Sequence, residues 1–206
     1  LDLVRFYFSN GYGAEALSIL KVVKSLQPSA INNPEGMLLL AGSNFLMGRY
    51  ADAASSLRDS ELDKIDEAAF WRAATISKSG KMIAGAYEMQ RTADIIKTYP
   101  TPLRIPLATL VADAAVTIGQ NKRAKDMIKA LNKMEPNERQ KAQILFVEGK
   151  LADSDGKQEI AVSKWDEVIA IDDRRTFVRA SINRTNILMR MERLTPFEAI
   201  NELEKL

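Results

Sequence analysis

The chain of 206 residues contains no cysteine and no histidine. The first absence excludes disulfides and thiolate metal sites, and it leaves the redox compartment open. The second removes the commonest general base, the commonest zinc ligand and every Ser-His or Cys-His arrangement. An enzyme built from this chain would have to work with carboxylates, lysine or tyrosine alone, so no enzymatic role is expected, and no metal or cofactor. Long apolar runs are missing as well. The longest candidate, residues 107–118, is cut by Asp113 and falls short of the roughly 18 apolar residues of a membrane span. No stretch alternates with period two for long enough to suggest a sheet. Neither half carries a charge excess: residues 1–100 hold 11 basic and 11 acidic side chains, and residues 101–206 hold 18 and 16. Bulk charge therefore does not point to nucleic acid. The chain opens on Leu1, without a methionine or a signal-peptide pattern, and reads as a piece of a longer protein whose targeting signal lies elsewhere.

What is present is a period. Gly11, Gly48, Gly80, Gly119 and Gly156 are each followed five residues later by a small residue: Ala16, Ala53, Gly85, Ala124 and Ala161. A sixth pair, Leu194 and Ala199, keeps the small residue and loses the glycine. The small residues step by 37, 32, 39, 37 and 38 positions, a spacing of stacked helical hairpins. Between these marks the apolar residues recur at helical intervals, as at Leu17, Leu20 and Val23. Helices are expected over 14–26, 37–47, 50–57, 67–79, 82–98, 103–118, 123–134, 138–154, 158–171, 175–191 and 196–206. Asn33-Pro34 reads as an N-cap with proline at the first helical position, and Thr195-Pro196-Phe197-Glu198 as a capping box. Tyr99-Pro100-Thr101-Pro102 is the strongest stop. No linker is long or polar enough to divide the chain, so one domain is expected over 1–206. Its approximate repeats are 1–30, 33–65, 66–101, 102–137, 138–173 and 174–206.

These residues resemble the tetratricopeptide-repeat (TPR) family over nearly the whole chain. Its motif is matched by Ala41, Gly48, Tyr50, Ala53 and Leu57, then by Ala112, Gly119, Ala124, Ile128 and Pro136. Gly149, Gly156, Ala161 and Trp165 match it again, and Gly11, Ala16, Leu20 and Pro28 open the series. The resemblance implies an all-α fold, a right-handed solenoid of about six antiparallel helical hairpins. The steps mostly exceed the family's usual 34, which implies longer helices and an irregular superhelix. The third repeat departs from the motif, with Met82 and Gly85 where tyrosine and alanine are expected. The small residue lets paired helices approach, and the bulky residue four positions on (Leu20, Leu57, Met89, Ile128, Trp165, Leu203) fills the space toward the next pair.

The resemblance also implies a concave groove, lined by the first helix of each hairpin, that holds a peptide or partner helix. The register places there Leu38, Gly42 and Phe45; Phe70, Ala74 and Ser77; Thr109, Asp113 and Val116; Phe146, Lys150 and Asp153; and Arg184, Leu188 and Met191. Phe70, Asp113, Phe146, Lys150 and Arg184 are the candidate contacts. Phe70 and Phe146 have two readings, as packing between hairpins or as ligand anchors. The lysine and asparagine with which some relatives clamp a C-terminal carboxylate are absent from these positions. A second candidate surface is a basic stripe: at about 100° per residue Arg175, Arg179, Arg190 and Arg193 fall on one side, with Phe177, Ala180, Leu188 and Met191 opposite. Either it is a solvated face or it meets an anionic partner. The acidic run Asp59, Glu61, Asp63, Asp66 and Glu67 loosely matches a calcium loop but has Lys64 where glycine is required, and reads as helix capping beside a solvated loop. The expected function is a protein–protein interaction scaffold, its partner another protein or a peptide. The alternative is self-association, because Leu3, Val4, Phe6, Tyr7 and Phe8 make one end too apolar for a solvent-facing cap.

Overall fold

The computed structural model describes residues 1–171 and 173–206. It is all-α. Among the described residues there are twelve α-helices and no strand. Their contacts gather into two compact units, Leu1–Ile118 and Gly119–Leu206.

The first unit holds α1 (Asp2–Ser9), α2 (Gly13–Leu26), α3 (Pro34–Leu46), α4 (Tyr50–Ser56), α5 (Asp66–Lys78), α6 (Met82–Thr92) and α7 (Thr101–Thr117). The second holds α8 (Asn121–Leu131), α9 (Glu138–Ser154), α10 (Gln158–Ile171), α11 (Arg174–Arg190) and α12 (Pro196–Leu203). The helix expected over 82–98 ends early: α6 stops at Thr92 and a 3-10 segment, Ala93–Thr98, carries the chain to Tyr99. Pro100 accounts for the extended conformation of Tyr99, since a residue before proline is pushed out of the α region.

The recurring glycines share one backbone device. Gly11, Gly48, Gly80, Gly119 and Gly156 all have positive φ, between 74° and 94°. At three of them the following N–H reaches the carbonyl five residues back: Tyr12 to Tyr7 at 2.9 Å, Arg49 to Asn44 at 2.9 Å and Lys157 to Ala152 at 2.8 Å. This Schellman arrangement satisfies the orphan carbonyls of the ending helix and turns the chain back. The sixth turn uses it too, but not at Leu194. Glu192 takes the left-handed conformation (φ 57°), and Arg193 donates to Leu188 at 2.9 Å. Two extra residues then precede α12, whose capping box forms as expected, the Thr195 hydroxyl and Glu198 bonding each other's backbone. Asn33 likewise caps α3, accepting from the Gly36 N–H at 2.9 Å.

The small residue after each turn makes the first internal bond of its helix. Ala16, Ala53, Gly85, Ala124, Ala161 and Ala199 donate to Tyr12, Arg49, Lys81, Gln120, Lys157 and Thr195 at 3.0–3.1 Å. All six are buried, as are Leu20, Leu57, Met89, Ile128 and Trp165 beyond them. Leu203, at the same register in α12, is only half-buried. Helices joined by these turns pack on each other: α1 on α2, α3 on α4 and α5 on α6, then α9 on α10 and α11 on α12.

In the first unit α1 also packs on α3 and α7, and α3 packs on α5. The seam between them is aromatic. The buried Trp71 ring lies 5.4 Å from Phe45, 5.5 Å from Phe70, 5.9 Å from Phe8 and 6.2 Å from Tyr99, all tilted or edge-on. Its Nε1–H donates to the Tyr99 hydroxyl at 2.9 Å, and that hydroxyl donates to Glu67. Gly42 makes room for the knot, since a Cβ there would stand 2.6 Å from the Phe8 ring.

Candidate protein-binding surfaces

In the first unit the expected groove positions are filled rather than open. Leu38, Gly42, Phe45, Ala74, Ser77, Thr109 and Val116 are buried, and Phe70 is 0% exposed. A side chain with no exposed area has none to offer a ligand, so Phe70 is corrected from a candidate anchor to a core residue. Asp113 is half-buried and already engaged within the chain. The physical reason is the packing of α1 against α3 and α7, which lets Phe8 enter the space between first helices.

In the second unit Phe146 on α9 is 3% exposed, and it too is corrected to the core. Its ring is covered by the Arg179 guanidinium, 4.2 Å from the centroid. Its carbonyl accepts from the Trp165 indole N–H at 3.2 Å. Trp165 is itself buried, against Gly149, where a Cβ would come within 2.3 Å of the indole nitrogen. Lys150 is half-buried and engaged within the chain. Arg184 spans two helices, with Asp166 of α10 at 2.6 Å and Glu202 of α12 at 3.5 Å.

The arginine stripe is largely committed to internal contacts. Arg190 donates to Asp153 of α9 at 2.7 Å, and Arg193 makes a two-pronged pair with Glu159 of α10, one prong 2.9 Å long. Arg179 covers Phe146. Only Arg175 of the four stands exposed without a partner among the described residues. The stripe ties α11 to the preceding pair more than it displays charge. Opposite it Ala180 and Leu188 are buried, and Phe177 and Met191 half-buried.

Three of the five acidic residues of the run are engaged. Asp59 accepts from the Glu61 N–H at 2.9 Å, Asp63 pairs with Arg72 at 2.9 Å, and Glu67 takes the Tyr99 hydroxyl. Among the described residues no group of three or more metal-ligating side chains could hold an ion, and no helix is long and apolar enough to cross a membrane.

The open feature lies where the register did not look. A pocket of about 400 Å³ sits between α8, α9 and α10. Ile128, Leu151 and Ala152 form its nearly buried floor, and Ile160, 50% exposed, forms one wall. Lys125, Lys129 and Lys157 stand at the rim. Lys125 is held by Asp155 at 2.7 Å, and Asp155 also accepts from Asn121 at 2.8 Å. These bonds keep its carboxyl below the usual range. Glu148, the other acid at the rim, is held by Lys164 at 3.2 Å and by the Asn132 amide at 2.9 Å. The sequence signal was Lys122, Lys125 and Lys129, spaced three and four apart along α8. No protein-family model matches the chain, and no curated protein does.

Proposed function

We propose that this chain is a protein-interaction scaffold, a right-handed superhelix of TPR-like helical repeats. The observation that carries the reading is the repeated turn. Six left-handed residues, five of them glycine, precede six buried small residues, each making the first bond of a second helix. Modules of this kind stack on neighbours and present long lateral surfaces, which suit extended partners. The burial of Phe70 in the first unit and of Phe146 in the second moves the expected contact away from both and toward surfaces that remain exposed.

The test is site-specific photo-crosslinking in the source cells. A benzophenone amino acid would be placed at Ile83, Ile160, Arg175 and Phe197 in turn, all exposed. The scaffold reading expects one position to yield a discrete protein adduct, identified by mass spectrometry. Adducts from none of the four would remove the reading.

Self-association is the second reading, favoured by apolar area on two terminal helices. Phe6 of α1 is 59% exposed, and Phe197 of α12 is 73% exposed with Ile200 beside it. Light scattering would show a mass rising with concentration, abolished by Phe6→Ser combined with Phe197→Ser. A constant monomer mass excludes it.

A further inference from the structure

We infer that the groove between α8, α9 and α10 docks an acidic amphipathic segment of a partner protein. The inference rests on the scaffold reading and names the surface and partner chemistry it requires. The apolar floor is concave and about the size of a small ligand pocket. It is open along one side, so it admits the side chains of a chain passing over it. Ala152 sets the depth, being the smallest side chain on a floor otherwise made by Ile128 and Leu151.

Charge selects the occupant. Both rim acids already have cationic partners, Lys125 for Asp155 and Lys164 for Glu148. Lys129 faces solvent with no ion pair among the described residues, and Lys157, also exposed, adds to the positive field on Asp155. Lys122 lies on the same side of α8 as Lys129, about 20° of rotation away at 100° per residue, with Asp126 beside it. An apolar trough whose rim carries three lysines against two acids that already have partners is complementary to leucine- or phenylalanine-type anchors flanked by carboxylates. A membrane surface fits less well, because it needs protruding apolar side chains, and here the apolar surface is recessed.

The experiment titrates the full chain into a fluorescently labelled 16-residue peptide with leucines at helical spacing and glutamates between them. Its control is the same peptide with glutamine for every glutamate. The expected result is anisotropy-detected binding that the control lacks and that weakens as salt shortens the screening length. Lys129→Glu with Lys157→Glu weakens it about tenfold or more, and so does Ile160→Glu alone. Arg175→Glu leaves it unchanged. All substituted residues are exposed, and a melting curve for each variant checks the fold. No binding, or binding indifferent to both groove variants, overturns the inference. Binding to vesicles of anionic phospholipid in place of the peptide overturns it in favour of a lipid surface. A peptide that fails while crosslinking from Arg175 or Phe197 still captures a protein overturns the groove and leaves the scaffold reading standing. Failure of the peptide together with failure of every crosslinking position removes both.

Discussion

Gly85 is the residue at which the sequence motif departs and the structure tightens. A Cβ there would lie 2.4 Å from the Ser77 nitrogen and 2.6 Å from the Ala73 carbonyl oxygen, both backbone atoms of α5. Glycine here is the same small-residue device taken one methyl further, so that α6 rests directly on the α5 backbone. Backbone cannot swing aside as a side chain can. Gly85→Ala should therefore destabilise the chain by about 1–3 kcal/mol through overpacking, and an unchanged melting temperature would contradict the close approach. Glu192 offers the reverse experiment. Its left-handed φ of 57° is what glycine adopts freely at the corresponding turns. Glu192→Gly should relieve that strain, partly offset by the greater freedom of glycine in the unfolded chain, for a net gain of about 0.5–1 kcal/mol. The denaturant midpoint should rise without a change in slope. A fall would mean that the Glu192 side chain is worth more than its backbone costs.

Helices are held by two different means in the two units, and each makes a prediction. In the first, α1, α3 and α5 meet at Trp71 and Tyr99. Burial, then the Glu67 carboxylate that accepts its proton, raise the Tyr99 phenol well above its ordinary value. A folded pKa above the unfolded one favours the protonated phenol in the native state. The contribution is full below about pH 10, the usual phenol value, and declines above it. In a spectrophotometric titration one of the five tyrosines should stay un-ionised until the protein unfolds. Trp71→Phe removes a hydrogen bond that by itself lowers the phenol, so the pH of that unfolding should fall only through the stability lost with the indole's packing and bond. Titration of all five in the folded protein would mean that the knot is open. In the second unit α11 is fastened by arginines whose pairs are largely exposed. Arg190→Ala and Arg193→Ala should each cost only about 0.2–1 kcal/mol, and less in high salt. A larger, salt-independent loss would mean that packing rather than charge holds α11. The helices from α2 onward were legible in the sequence, because apolar spacing, the Asn33 and Thr195 caps and the glycine turns are local signals, whereas α1 was not assigned. The sixth turn was displaced by two residues because Glu192 gives no sign that it will adopt a glycine conformation. The fate of the groove positions was not legible. Register places Phe45, Phe70 and Phe146 on the first helices, but whether that face is open depends on α1 reaching α3 and α7 in the first unit and on Arg179 of α11 reaching Phe146 in the second. Contacts between segments so far apart leave no mark on local periodicity.

At the scale of the whole molecule, near-neutrality conceals both the groove and the way the fold answers to acid. The net charge of +2 averages over the α8 lysines, which is why bulk charge did not disclose them. That balance also depends on 27 acidic side chains offsetting 29 basic ones. Glu35, Asp155 and Glu198 have folded pKa values below their ordinary ones. Glu35 is lowered by its hydrogen bond from Arg5, Asp155 by bonds from Lys125 and Asn121, and Glu198 by the Thr195 backbone N–H and hydroxyl. A depressed folded pKa contributes stability above the unfolded value, near 4 for a carboxylate, and loses it as pH falls through the folded value. Protonation of the remaining carboxylates leaves the basic side chains unopposed, and self-repulsion acts in the same direction. With no histidine and no cysteine, the chain lacks the side chains that ordinarily titrate near neutrality. The melting temperature should therefore be flat between about pH 5.5 and 7 and fall below about pH 4.5. Added salt should soften the fall by screening the cations while weakening the Arg5–Glu35 and Lys125–Asp155 pairs. An inflection near pH 6.5 would require a strongly shifted carboxylate or lysine. The folded environment that shifts it would then be the place to look for chemistry that the scaffold reading does not contain.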